Sequence, residues 1–210
     1  MNEDRLRDLV EPSTTAVLTM ELQRAIVGPG ALLPALVDEV ERTGMLDVVR
    51  RVCGAARGAG GRVVHCTAVT RADGAGAARN SRLMVLADRA RRERGAAATA
   101  IGSRGAELVD GLEDERDVVV PRLHGLTPFT STSLDQILRN LGVRTVVATG
   151  VSVNVGVLAM TIEAVNAGYQ VVVVRDGVVG VPAEYGQAVL DNTLSMVATI
   201  VTSDELLAAW

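Results

Sequence analysis

Lysine is missing from this chain of 210 residues: all 21 basic positions are Arg. Its absence excludes a Schiff-base lysine, the lysine of a phosphate-binding P-loop and any catalytic triad that contains lysine. Aromatic residues are almost as scarce, with Phe129, Tyr169, Tyr185 and Trp210 the whole set. A stacking platform for single-stranded nucleic acid needs more of them. Only two cysteines are present, Cys53 and Cys66, which suits a reducing compartment and rules out a disulfide scaffold. The two histidines, His65 and His124, have no Cys, His or carboxylate neighbours at ligand spacing, so neither a metal nor another cofactor is expected. The first dozen residues are charged and lack the apolar stretch of a signal peptide. No apolar run reaches bilayer-spanning length. With a formal net charge of −4, the expectation is a soluble cytoplasmic protein with a small-molecule ligand and neither nucleic acid nor membrane as partner. The basic run Arg89–Arg94 is interleaved with Asp88 and Glu93 and reads as a solvated helix face.

What is abundant is Ala, Val and Leu, arranged in short β-branched runs between longer helical stretches. Strands are predicted at Thr15–Met20, Arg62–Thr67, Asp117–Pro121, Thr145–Gly150, Gln170–Arg175 and Ala198–Thr202. Most of these runs are continuously apolar, as strands buried on both faces are. Helices are predicted over Pro34–Arg57 (with Gly44 a possible interruption), Leu83–Arg94, Ser133–Leu141, Asn154–Ala167, Ala183–Ser195 and Asp204–Ala209. Ser133 and Ser203 read as N-caps, and Gly142 and Gly168 as helix stops. Alternating strands and helices predict one α/β domain, a three-layer α/β/α sandwich on a mainly parallel six-stranded sheet. Arg71–Asn80 reads as a long loop.

Ligands of such sheets bind beyond the carboxyl ends of the strands. Four segments should therefore converge: Glu21 with Gln23, Cys66–Arg71, Arg122–Phe129, and Val151–Gly156. Glu21 projects from the first strand, where an apolar wall would make it a usable general acid. Beside that stands the plainer reading of a solvated acid. His124 can act as acid or base near neutral pH, and Arg122 can clamp a carboxylate, though an exposed loop is the simpler account of both. Gly150–Val157 opens a helix directly after a strand, with Asn154 near the cap, and its backbone N–H groups could hold an anion. Cys66 and His65 are adjacent in a strand and so point to opposite faces, which leaves Cys66 without a base.

Taken together these segments resemble the isochorismatase-like hydrolases, also called the cysteine-hydrolase superfamily. AVLTMELQ is similar to that family's first strand, with Glu21 at the position of its Asp and Gln23 kept. PRLHGLTPFTSTSLDQILRNLGVRTVVATGVSVNVGV is similar to the stretch that runs from a catalytic Lys, through a characteristic Phe, to the nucleophile elbow. AVNAGYQVVVVRDGVVG matches the helix and strand that follow, ending at Asp176. The resemblance implies an isochorismatase fold and a homo-oligomer. It also implies a cis peptide at Val151–Ser152 and a substrate site of Gln23, Arg122, Phe129, Val151, Ser152 and Asn154, with the backbone around Ser152–Gly156 orienting substrate or water. The family's Asp–Lys–Cys triad is not retained: its positions hold Glu21, a residue near Leu123, and Gly156.

Two functions follow from this pattern. One is hydrolysis of a small anionic metabolite without a covalent intermediate. Glu21 is then the general acid, Arg122 and His124 bind or stabilise charge in place of the Lys, and Gly156 leaves room for substrate. The other is a non-catalytic descendant that binds a metabolite or partner. A Cys-nucleophile amidase is not expected.

Overall fold

The computed structural model of the protein describes residues 2–93 and 98–210, apart from the side chain of Arg91; the predicted helix end at Arg94 lies outside them. Six parallel strands form the sheet: β1 (Thr15–Met20), β2 (Arg62–Ala68), β3 (Val118–Arg122), β4 (Thr145–Val151), β5 (Gln170–Val179) and β6 (Thr199–Val201). Their spatial order is β3-β2-β1-β4-β5-β6. Every predicted strand is present. The largest difference is β5, which runs on past Arg175 to Val179 after a shift of register against β4.

The continuous apolar runs are explained by burial on both faces. Val17, Val63, Val147 and Val172 turn to one side. There they meet α1 (Glu3–Leu9), α3 (Pro34–Thr43), α4 (Met45–Gly58) and α10 (Ser203–Ala209), while the short α2 (Arg24–Val27) closes the end of that layer. Leu18, Val64, Ala148 and Val173 turn to the other side. They meet α6 (Leu134–Asn140), α7 (Leu158–Asn166) and α8 (Ala183–Val189). α5 (Arg82–Glu93) lies between β2 and β3 in the chain, and α9 (Ser195–Val197) precedes β6.

Three local expectations are corrected. The predicted helix from Pro34 to Arg57 is two helices, because Gly44 takes φ +66°, a left-handed turn that glycine adopts without steric cost. Thr202, not Ser203, caps α10. Its hydroxyl accepts from Glu205 N at 3.3 Å while Glu205 Oε2 accepts from Thr202 N at 2.7 Å, and the Ser203 hydroxyl donates to Asp176 instead. Ser133 stands at the start of α6 without a side-chain capping bond; the neighbouring Thr132 hydroxyl accepts from Leu134 N at 3.1 Å. Gly142 and Gly168 follow their helices with φ of +71° and +92°, as expected of helix stops. Residues 71–80 form a loop, and the basic face of α5 is solvated, with Arg89 paired to Glu93 and Arg92 to Asp88.

Candidate active site

The chain builds β1, β2 and β3 outward in one direction, then places β4 on the other side of β1. The strand order therefore reverses between β1 and β4, and the crevice at their carboxyl ends is where this class of sheet binds ligands. The four segments converge there. Glu21 N donates to Cys66 O at 2.9 Å, Val69 N donates to Arg122 O at 2.9 Å, and Met20 pairs with Gly150. Gly150 has φ +102°, and a Cβ on it would collide with the backbone of Met20, so only glycine lets β1 and β4 approach this closely.

Glu21 turns out of β1 with φ +55°, a left-handed conformation that costs a non-glycine residue energy and marks functional segments. Its side chain is 19% exposed and pairs with Arg122, whose side chain is 6% exposed. Of the two groups considered for the charge beside Glu21, Arg122 makes the contact. The guanidinium Nη2 donates to Glu21 Oε1 and Nε donates to Gly125 O at 3.1 Å, while Nη1 is buried with no hydrogen-bond partner among the described residues. A buried donor left in this state costs about 1–3 kcal/mol. Gln23 does not face a ligand. Its amide is fully buried and bridges two chain segments, donating to Ala68 O and Ala106 O at 3.0 Å and accepting from Ala68 N at 2.7 Å.

After β4 the peptide between Val151 and Ser152 is cis, and Val153–Val157 form a π-helical turn that leads into α7. Val151 is fully buried and Ser152 half-buried. Asn154 Nδ2 donates to Val181 O at 3.2 Å, and its Oδ1 is buried without a partner among the described residues. Gly156 is buried against Met20, the residue before Glu21. A Cβ on Gly156 would lie 2.9 Å from Met20 Cε and 3.1 Å from Val151 O. The expectation that Gly156 leaves room for substrate is corrected: the Met20 side chain fills that room.

The segment after Arg122 carries Leu123 and His124 in exposed positions, and the His124 side chain makes no hydrogen bond among the described residues. Beyond them the loop is fixed by Glu163 of α7. Its carboxylate accepts from Thr127 Oγ1 at 2.7 Å, Thr130 Oγ1 at 2.8 Å and Thr130 N at 3.2 Å. Phe129 packs against Tyr169 with ring centroids 5.9 Å apart, as part of the core that covers α6 and α7. It is half-buried there, against the apolar layer. Neither Met20 nor Glu163 stands in a sequence pattern that marks it for the site.

The remaining titratable groups are structural. Cys66 faces the core and burial pushes its thiol up to about 12, so it is not a nucleophile at neutral pH. Cys53 is likewise buried and pushed up to about 12. His65 points to the opposite face from Cys66, as alternation requires, and its ring joins Thr19 Oγ1 at 2.7 Å and Asp117 Oδ2 at 2.9 Å. Arg57 Nη2 completes this buried cluster at 2.6 Å from Asp117 Oδ2. Among the described residues, no three His, Cys, Asp or Glu side chains come together as a metal-binding group, and no helix is long and apolar enough to cross a membrane.

The isochorismatase domain model matches residues 15–205. A curated relative, the ureidoacrylate amidohydrolase RutB of Pseudomonas savastanoi pv. phaseolicola, is 30% identical over 175 residues, covering 80% of this chain and 71% of its own. The isochorismatase family protein of Desulfovibrio vulgaris superposes with a TM-score of 0.77 at 28% identity, over 93% of this chain and 98% of that one. The cysteine hydrolase of Pseudomonas syringae pv. phaseolicola shares the fold with a TM-score of 0.78 at 22% identity, over 94% and 92% of the two chains. A strand order that reverses beside Glu21 and a match across residues 15–205 agree on one conclusion: the chain belongs to the isochorismatase-like hydrolase family.

Proposed function

We propose that the protein hydrolyses a small anionic metabolite without forming a covalent enzyme intermediate, with Arg122 as the anion contact and Glu21 as the proton carrier. The observation that carries this reading is the buried, unpartnered Nη1 of Arg122 beside Glu21. A guanidinium with a free Nη1 amino group matches a carboxylate, and charge-assisted bonds of this kind are among the stronger ones. A general acid must be protonated, whereas the contact with Arg122 is made by a carboxylate. Substrate resolves that conflict. Its anionic group takes over Arg122 and frees Glu21 for proton transfer. Glu21 then gives its proton to the substrate's leaving group. Water bonds through its oxygen to the electrophilic carbon, and the bond from that carbon to the leaving group breaks. The leaving group departs with the proton from Glu21, and the proton lost by the water returns to Glu21. Ureidoacrylate, named for the curated relatives, is itself a carboxylate. Their amide chemistry does not carry over through a thioester, because position 156 is Gly and the chain has no lysine.

A second reading, a binding protein that has lost the chemistry, is favoured by Met20 filling the ground beside Gly156. One experiment separates the two. Wild type and Glu21→Gln are screened against small carboxylates by thermal shift, and each binder is followed by NMR for hydrolysis. Hydrolysis by wild type with binding but no turnover in Glu21→Gln supports the enzyme. Tight binding with the ligand recovered intact from wild type favours the binding protein. Full turnover by Glu21→Gln removes Glu21 from the mechanism.

A further inference from the structure

We propose that the protein has a second small-molecule site, for an organic acid with a compact apolar body, in the cleft between α2, the α3–α4 turn and the Arg104–Asp110 segment. The cleft has a volume of about 920 Å³. Ligand pockets run from roughly 300 to 1,000 Å³. It lies across the sheet from the elbow. Its apolar floor of Val27, Val40 and Val109 belongs to the layer beneath α3 and α4, while Met20 and Val157 belong to the other layer. It is therefore separate from the Glu21–Arg122 pair.

The charges on its walls show which end of a ligand it would hold. Arg24 pairs with Asp110 through Nη2, and Arg50 pairs with Asp47 at 2.6 Å while donating to Asp110 O at 3.0 Å. These contacts use up both aspartates. Arg24 Nε is left buried without a hydrogen-bond partner among the described residues, with the Glu107 carboxylate no nearer than 3.5 Å. The Arg104 guanidinium, which also lines the cleft, makes no hydrogen bond or ion pair among the described residues. An orphaned buried N–H and an unpaired guanidinium ask for an acceptor carrying negative charge. The partly exposed Ala25, Pro29 and Leu46 along the cleft ask for an apolar body. A carboxylate on a short aliphatic or aromatic frame meets both demands.

The walls are set before any ligand arrives. A Cβ on Gly105 would meet Ala98 O and Ala25 Cβ, and one on Gly28 would meet the Arg24 backbone, so glycine is what brings these segments together. Such a preformed cleft limits the ordering cost of binding.

The test titrates hexanoate, with hexan-1-ol as its neutral counterpart, into the wild-type protein and into Arg104→Gln, Arg104→Lys and Leu46→Trp. Backbone amide shifts are followed by NMR, and each variant is first shown to keep the wild-type unfolding transition. Saturable hexanoate binding is expected, with shifts at Gly28, Gly30, Gly44 and Gly105. Losing one charge-assisted bond should weaken it about tenfold in Arg104→Gln, with partial recovery in Arg104→Lys. Leu46→Trp should abolish it by filling the cleft, and hexan-1-ol should bind more weakly than the acid. The proposal is overturned if hexanoate shows no saturable binding, if Arg104→Gln and Leu46→Trp bind it as wild type does, or if the shifts fall on Leu123–Gly125 and Gly156. That last result would assign the anion to the Glu21–Arg122 pair.

Discussion

Met20 and Gly156 are complementary: the thioether of one lies where the side chain of the other would begin, with Met20 Cε 2.9 Å and Cγ 3.3 Å from the Cβ position of residue 156. The family resemblance puts a nucleophilic Cys at that position. Here the tip of β1 occupies the volume that a side chain at position 156 would need. The same strand end presents Glu21 to Arg122. The resemblance puts an Asp where this chain has Glu21, a Lys near Leu123 and a Cys at Gly156, and here the cation that meets Glu21 is Arg122.

This complementarity predicts the outcome of placing a thiol at position 156. Gly156→Cys should destabilise the protein by about 1–3 kcal/mol, the usual cost of forcing atoms into a filled core. Met20→Ala alone should cost about 2–5 kcal/mol through the cavity it leaves. Combined, the two should cost less than their sum by about 1–2 kcal/mol, because each relieves the other. Urea denaturation of the four proteins gives the coupling energy, and a value of zero would mean that Met20 moves aside freely.

Breaking the Glu21–Arg122 pair should give asymmetric results. Glu21→Ala strands a guanidinium whose side chain is 6% exposed, whereas Arg122→Met strands a carboxylate that is 19% exposed and can reach water. Removing one partner of a buried pair costs about 3–5 kcal/mol. Glu21→Ala should fall in that range and Arg122→Met below it. Equal losses in chemical denaturation would show that both groups reach solvent once unpaired.

How much of this was legible beforehand depended on what each residue answers to. Val17, Val63 and Val147 answer to the sheet alone, and their continuous runs announced a strand buried on both faces. Glu21 was found because a carboxyl end of a strand is a place defined by topology. The partner of Glu21 was open between Arg122 and His124, two residues apart in one loop, because the choice turns on where β3 ends. Arg122 is the last residue of β3 and shares the covered face of the strand with Val120, while His124 lies beyond the strand and is exposed. The partners of Gln23 were hidden for the opposite reason. Its type and place suit a ligand, but its partners are backbone atoms of Ala68 and Ala106, 45 and 83 residues away, which no local pattern records. Phe129 was assigned to the pocket through resemblance, and its contact with Tyr169 likewise arises only from packing.

Glu163 is expected to hold the shape of the 123–132 loop. It accepts three hydrogen bonds from Thr127 and Thr130, and no other described carboxylate contacts that loop. In Glu163→Ala the three donors lose their partner, so amide hydrogen exchange across Thr127–Thr130 should speed up at least tenfold, a loss of about 1–3 kcal/mol in local stability. Exchange in β1 and β4 should stay as in wild type. Acceleration spread evenly over the chain would instead assign Glu163 to global stability.

The buried His65 makes folding sensitive to mild acid. Burial lowers its proton affinity below the ordinary value of 6.5, an effect larger than the opposing pull of Asp117, and Arg57 lowers it further. The groups around it are Thr19 on β1, Asp117 before β3, and Arg57 on α4, with the Glu113 carboxylate also within electrostatic range. A histidine that binds a proton less readily when folded contributes stability above pH 6.5, and that stability is lost as pH falls toward its folded-state value. The carboxylates held low by arginine, such as Asp73 at about 2, lose their contribution only in stronger acid. The melting temperature of the wild type should therefore fall between pH 6.5 and 5, and that slope should be absent in His65→Gln, which has no titrating ring. An unchanged slope in the variant would place the acid sensitivity elsewhere.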